Sequence, residues 1–204
     1  MLGSLGPVSP LPRTGILVLG FLAVFAVVLA AGVSVREVRS FPVMSTLQFA
    51  AVGSILAAGV VLLAASLGRQ MIPGSRHRVP PAWLLLSVAV VFWVALALLF
   101  PWQPHSGSYW VWATKCYSVG ASFAALAAVP LWLLVRRGAI LWPALTGATT
   151  GLLGGLMGAT VIYLGCWNPT APHLAVSHAA VPISSGLLGL FLGTLGAHWR
   201  RHEP

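Results

Sequence analysis

Gly147-Ala-Thr-Thr-Gly151-Leu-Leu-Gly154-Gly155-Leu-Met-Gly158-Ala159 carries no charge and lies inside an apolar run over about 140–164. A run of that length crosses a hydrocarbon core as a helix, which takes about 20 residues. Gly147, Gly151 and Gly155 are four apart and share one helix face, and Gly154 and Gly158 continue a neighbouring ridge. Farther along, Gly189, Gly193 and Ala197 repeat the spacing. In lipid, helix contact brings little hydrophobic gain, so close backbone approach takes over. The spacing predicts that these two helices pack on their small-residue faces, a role in packing rather than in ligand binding.

Five more apolar runs surround this one, at about 14–34, 44–67, 82–100, 112–135 and 176–198. They are continuous rather than alternating, which excludes barrel strands and leaves helices as the way to satisfy the backbone in lipid. The expected fold is all-α, a polytopic membrane bundle of six transmembrane helices. Composition agrees: 58% of the 204 residues are hydrophobic and 6% charged, against about 25% charged in a soluble domain. The first run is long for a signal-peptide core and five others follow it, so it reads as a retained helix. The expected division is a short cytoplasmic segment over 1–13, a transmembrane domain over 14–198 and a tail over 199–204. Pro130 and Pro182 fall inside the fourth and sixth helices, where each predicts a kink.

Charge sets the orientation. With the N-terminus inside, the inner segments hold eight arginines: Arg13, Arg69, Arg76, Arg78, Arg136, Arg137, Arg200 and Arg201. The outer segments hold three basic residues, Arg36, Arg39 and Lys115, with Glu37 among them. This asymmetry over short loops is a positive-inside bias, predicting N-in, C-in topology in a bacterial inner membrane. Trp102, Tyr109, Trp110, Trp112, Tyr117, Tyr163 and Trp167 gather at the outer ends; Trp83, Trp132, Trp142 and Trp199 mark the inner ends. Two aromatic belts are expected at headgroup depth, in contact with membrane lipid. The net charge of +9 forms no basic stripe with interleaved aromatics, so direct nucleic-acid binding is excluded.

Apart from Lys115 near the outer start of the fourth, the proposed spans contain no Asp, Glu, Lys or Arg, which argues against an ion-coupled transporter. There is no Gly-rich phosphate loop, HExxH or GxSxG, and no enzyme signature remains. What remains are the two sulfurs. Cys116 opens the fourth helix and Cys166 ends the fifth, on the same outer face. Neighbouring helices can bring such a pair within the Cα separation of about 7 Å that a disulfide requires. The outer side of an inner membrane is oxidising. The pair reads as an inert bridge, as two unrelated thiols, or as a redox or soft-metal sensor. Lys115 beside Cys116 favours thiolate. His178 enters the last helix and His173 follows Pro172 in a loop, where a solvated side chain is expected. Cys116, Cys166, His178 and His173 make a candidate soft- or transition-metal set, with the ion as stimulus rather than required cofactor. His178 with a histidine on another helix would suit a haem or redox subunit instead, and a bundle with an inert disulfide is the structural alternative.

Several motifs resemble a known family. They are Trp112-Ala-Thr-Lys115-Cys116, Arg136-Arg137-Gly138-Ala139, Leu164-Gly165-Cys166 with the short Pro-containing loop after it, and His178 entering a Gly/Leu-rich helix. The lead-in Pro7-Val8-Ser9-Pro10-Leu11-Pro12-Arg13 adds to the match. The chain resembles the NrsF-like six-helix membrane proteins, negative regulators (anti-sigma factors) of extracytoplasmic-function sigma factors. The resemblance implies that Cys116 and Cys166 are an outward sensor pair whose change frees a sigma factor held at the inner face. Family members usually carry a longer N-terminal segment with an amphipathic helix, which Met1 to Arg13 lacks. Arg13, Arg69, Arg76, Arg78, Arg136 and Arg137 are then the candidate contacts for the cytoplasmic partner.

Overall fold

The computed structural model describes residues 13–74, 81–102 and 109–200. Arg76, Arg78, Arg201, His77, His105 and His202 lie outside the described residues, as do residues 1–12. The long helices are α1 (Thr14–Val35), α2 (Thr46–Gln70), α3 (Pro81–Leu99), α4 (Tyr109–Val135) and α5 (Pro143–Gly165). A short α6 (Ala171–His173) follows, then a widened π-turn over Leu174–His178, then α7 (Ala180–Arg200). No strand occurs among the described residues.

Five helical stretches are long and apolar enough to cross a membrane: α1, α2, α4, α5 and the run from Ala171 to His198. Six were expected. Within α3 the apolar stretch found is shorter, Leu86–Leu99. The outward faces are apolar, with Leu19, Val27, Leu98, Val129, Leu187 and Phe191 exposed. An exposed apolar surface of this extent suits lipid rather than water.

The last helical stretch departs most from expectation. It begins at Ala171, not near 176. Pro172 sits in its first turn, where a missing N–H costs nothing and a fixed φ suits the helix. A proline that suggests a loop in sequence here starts a helix. At Pro182 the backbone change is the π-turn just ahead of the proline, where Ala179 N–H donates to the Leu174 carbonyl five residues back at 3.2 Å. Pro182 has no N–H for the His178 carbonyl, so the regular ladder is already interrupted there. α4 runs through Pro130 without ending.

α5 is the centre of the bundle, packed on α1, α2, α4 and α7. Its glycines let α7 approach backbone to backbone. A Cβ on Gly147 would strike the Gly189 carbonyl, one on Gly151 the Ser185 carbonyl, and one on Gly155 the Pro182 Cα. A Cβ on Gly193 would strike the Pro143 carbonyl. Only hydrogen fits at these positions, and the two helices run antiparallel.

Contacts define two ends of the bundle. At one, Gly68 of α2 faces Thr14 and Val18 of α1, and Ala139 N–H donates to the Met71 carbonyl at 3.0 Å. The start of α5 and the far part of α7 meet there too, at Pro143 and Gly193. At the other end, the α1–α2 connection folds over the C-terminus of α5. The Leu164 carbonyl accepts from Arg39 N–H at 3.1 Å, Ser40 N–H at 3.2 Å and Ser40 Oγ at 3.0 Å, which satisfies an orphan carbonyl of the helix end. α2 starts here with a capping box, in which Ser45 Oγ accepts from Gln48 N–H and the Gln48 side chain accepts from Ser45 N–H. Gln48 Nε2 also donates to the Leu99 carbonyl at 2.6 Å, tying in α3.

Buried Tyr163 ties α5 to α2. Its hydroxyl donates to the Phe49 carbonyl at 2.9 Å, with the Gln48 carbonyl at 3.3 Å. Its ring stacks on Phe49 at 5.6 Å. Tyr163→Phe keeps the stack and removes the donor. The expected cost is about 1 kcal/mol, read as a lower unfolding temperature of the detergent-solubilised protein; an unchanged midpoint would show that the hydroxyl contributes nothing.

Candidate metal centre

At the end of the bundle opposite Arg13, the structure brings together four side chains from distant parts of the chain. Sγ of Cys116, Sγ of Cys166 and one ring nitrogen each of His173 and His178 all lie within 4.8 Å of one another. Cys116 comes from α4, about two turns beyond its start rather than at its opening. Cys166 is the residue that ends α5. His173 ends α6 and His178 ends the π-turn.

The backbone explains how the histidines meet. Residues five apart on an α-helix point about 140° from each other. The π-turn adds one residue to the turn, which swings His178 back toward His173. Their rings meet edge to face at 5.6 Å. His173 is fully buried, which corrects the expectation of a solvated loop histidine: α6 is a helix turn packed into the bundle, with Ala171 N–H donating to the Pro101 carbonyl at 2.9 Å. Tyr109, at the start of α4, donates its hydroxyl to the Pro172 carbonyl at 3.0 Å and places its ring against His173.

Both cysteines are free. Cys166 is buried and Cys116 partly so. The Cys166 thiol is held well above the ordinary range, first by its hydrogen-bonding contact with Cys116 and then by burial. Two sulfurs this close do not both ionise without a cation to offset them. Cys166 Sγ also lies 3.6 Å from the Asn168 carbonyl, and Thr170 Oγ1 donates to Asn168 Oδ1 at 2.9 Å, bracing the turn. Lys115 turns away from this chemistry, its Nζ sitting 4.8 Å over the Trp112 ring. Trp112 and Trp167 meet edge to face at 5.1 Å and tie the two cysteine-bearing segments together a second time.

Three buried imidazole nitrogens, His173 Nδ1, His173 Nε2 and His178 Nε2, have no hydrogen-bond partner. A buried polar atom left unpaired costs about 1–3 kcal/mol, so three in one cluster call for an explanation. His178 also forms part of the wall of an apolar cavity of about 250 Å³ between α2, α3 and α7. Among the described residues, His173, His178 and His198 all lie on the last helical stretch, so no described histidine on another helix faces His178 across a haem.

Sequence reasoning missed Arg36 in this setting. Its side chain lies over Gly165, where a Cβ would stand 3.3 Å from Nε. The one sequence signal for the histidine pair was Pro182 four residues after His178, which frees the carbonyl that a widened turn accommodates.

Of the remaining site residues, Arg13, Arg69, Arg136 and Arg137 belong to the opposite end of the bundle, by the contacts of their neighbours Thr14, Gly68, Met71 and Gly138. A family model described as NrsF, negative regulator of sigma F, matches residues 3–199. No curated protein and no solved structure matches the chain.

Proposed function

We propose, from the premise that this chain belongs to the NrsF family of negative regulators of sigma F, that it restrains a sigma factor at one end of its bundle and senses stress at the other. The partner is an extracytoplasmic-function sigma factor, held at the cytoplasmic face. The chain lies in a bacterial inner membrane as six spans, α3 included, with both termini inside. Cys116 and Cys166 then face outward, where redox or soft-metal chemistry reaches them.

The observation that carries this reading is the separation of the two ends. The sulfur and imidazole cluster lies beyond Gly165, and the arginines gather around the start of α5. The 23 residues of α5 set these ends about 34 Å apart. A signal read at the sulfurs reaches the other end through α5 and the helices packed on it. Arg13, Arg69, Arg136 and Arg137 supply the basic surface there.

The test is a sigma-dependent reporter in cells exposed to a soft-metal salt or to peroxide. Cys116→Ser and Cys166→Ser are each expected to abolish induction. Full induction in both variants would remove sensing from this pair, and solubilised membranes that capture no sigma factor would remove the output.

A further inference from the structure

We infer that Cys116, Cys166, His173 and His178 form a closed four-ligand site for a borderline-soft divalent ion of the Zn²⁺ class, which clamps α4, the end of α5 and the start of the last helix together. This rests on the sensing role proposed for the cysteine pair and names the ion and its full ligand set.

Geometry is the first argument. Tetrahedral Zn²⁺ with bonds of about 2.0–2.3 Å sets its ligand atoms about 3.3–3.8 Å apart. The four atoms already lie within 4.8 Å of one another, so side-chain adjustments of about 1 Å close the site without moving a helix. Two sulfurs and two imidazole nitrogens are a complete structural zinc set, with no position left for water.

Charge is the second. Two thiolates and two neutral imidazoles around a divalent ion sum to zero. Bare charge in a membrane bundle is costly, so a neutral site is the form burial allows. A monovalent ion would leave one negative charge in place, with the Arg36 side chain lying near Gly165. Hard ions need carboxylate or carbonyl oxygen cages. The only acidic residues are Glu37 and Glu203, and Glu37 is paired with Arg39 at 2.9 Å.

The third argument is the orphaned nitrogens. His173 is fully buried and His178 nearly so, and neither Nε2 has a partner. Ligation gives each imidazole a full bond where the folded chain offers it the Cys116 sulfur, itself a ligand of the same site. The π-turn that brings the rings together is a costly local arrangement, of a kind that recurs at functional sites.

The experiment uses the full chain purified in detergent. Metal content is measured after growth with Zn²⁺, and Co²⁺ is exchanged in as a spectroscopic probe. One ion per chain is expected, with the intense visible bands of tetrahedral Co²⁺ and thiolate-to-cobalt charge transfer. His173→Ala and His178→Ala should each lose the tetrahedral bands and weaken Co²⁺ binding at least tenfold. A six-coordinate Co²⁺ spectrum, or unchanged bands in both histidine variants, would overturn the site. Because a variant can fail to fold, X-ray absorption at the zinc edge of the unmodified protein gives an independent reading: two sulfur and two nitrogen neighbours support the site, and any other first shell overturns it. Ligation is read in the purified protein and sensing in the cellular reporter, so either can fail while the other stands.

Discussion

Gly151→Leu is expected to destroy the α5–α7 pair and with it the folded bundle. The first side-chain carbon alone would occupy the position of the Ser185 carbonyl, with Gly186 Cα at 3.2 Å. Both obstacles are backbone, so neither swings aside like a flexible side chain. Overpacking a core costs about 1–3 kcal/mol where side chains can adjust, and the expected cost here lies above that range. α5 is also the helix on which α1, α2 and α4 pack, so the damage reaches beyond one interface. The measurement is the monodisperse fraction and unfolding temperature of the detergent-solubilised protein. Gly53→Ala is the control: a Cβ there meets nothing within 4 Å, and the helix gains about 0.5–1 kcal/mol of propensity. Equal stability of Gly151→Leu and the parent protein would refute the close backbone packing.

The second large effect is expected from the metal. An ion that binds the folded chain alone stabilises it by RT ln(1 + [L]/Kd), about 4 kcal/mol at a free concentration a thousand times Kd. Loading with Zn²⁺ should therefore raise the unfolding temperature, and a chelator should reverse the gain. The gain should vanish in the double variant Cys116→Ser/Cys166→Ser, which removes both anionic ligands. A bundle indifferent to zinc and chelator would show that these four side chains do not act as one site. The proposed clamp would bear on the proposed sensing role. With the ion bound, α4 is tied to α5 and to the last helix, while α5 and α7 are already joined along their glycine faces. In the sensing role we propose, a change at the sulfurs acts chiefly on the placement of α4 against the closely packed α5–α7 pair, and α4 ends at Val135, next to Arg136 and Arg137. A ligand can shift such an arrangement only by favouring one state over the other.

The helices were legible because lipid imposes a simple demand: long stretches free of charge, with every backbone group bonded within the stretch. The glycine spacings in α5 and α7 were legible for a related reason, since a repeat of four places residues on one face. Helix ends were less so. α2 runs to Gln70 and α5 starts at Pro143, because caps and turns decide ends and hydropathy does not register them. Pro172 misled most, since proline marks both a loop and the first turn of a helix, and only packing against Pro101 and Tyr109 shows which it is here.

By itself, the sequence determined the helical membrane class, the basic residues at the helix ends and the residue types able to bind a soft ion. Each follows from composition or local spacing. Only the tertiary structure decided that Cys116, Cys166, His173 and His178 share one small volume. Fifty residues separate the two cysteines, and a spacing of five sets two histidines on different sides of an α-helix. Their meeting depends on α4 packing beside α5, on Pro172 turning the chain back into the bundle, and on one extra residue in the turn before Pro182. These are long-range packing and backbone register, and no local pattern of residues encodes them.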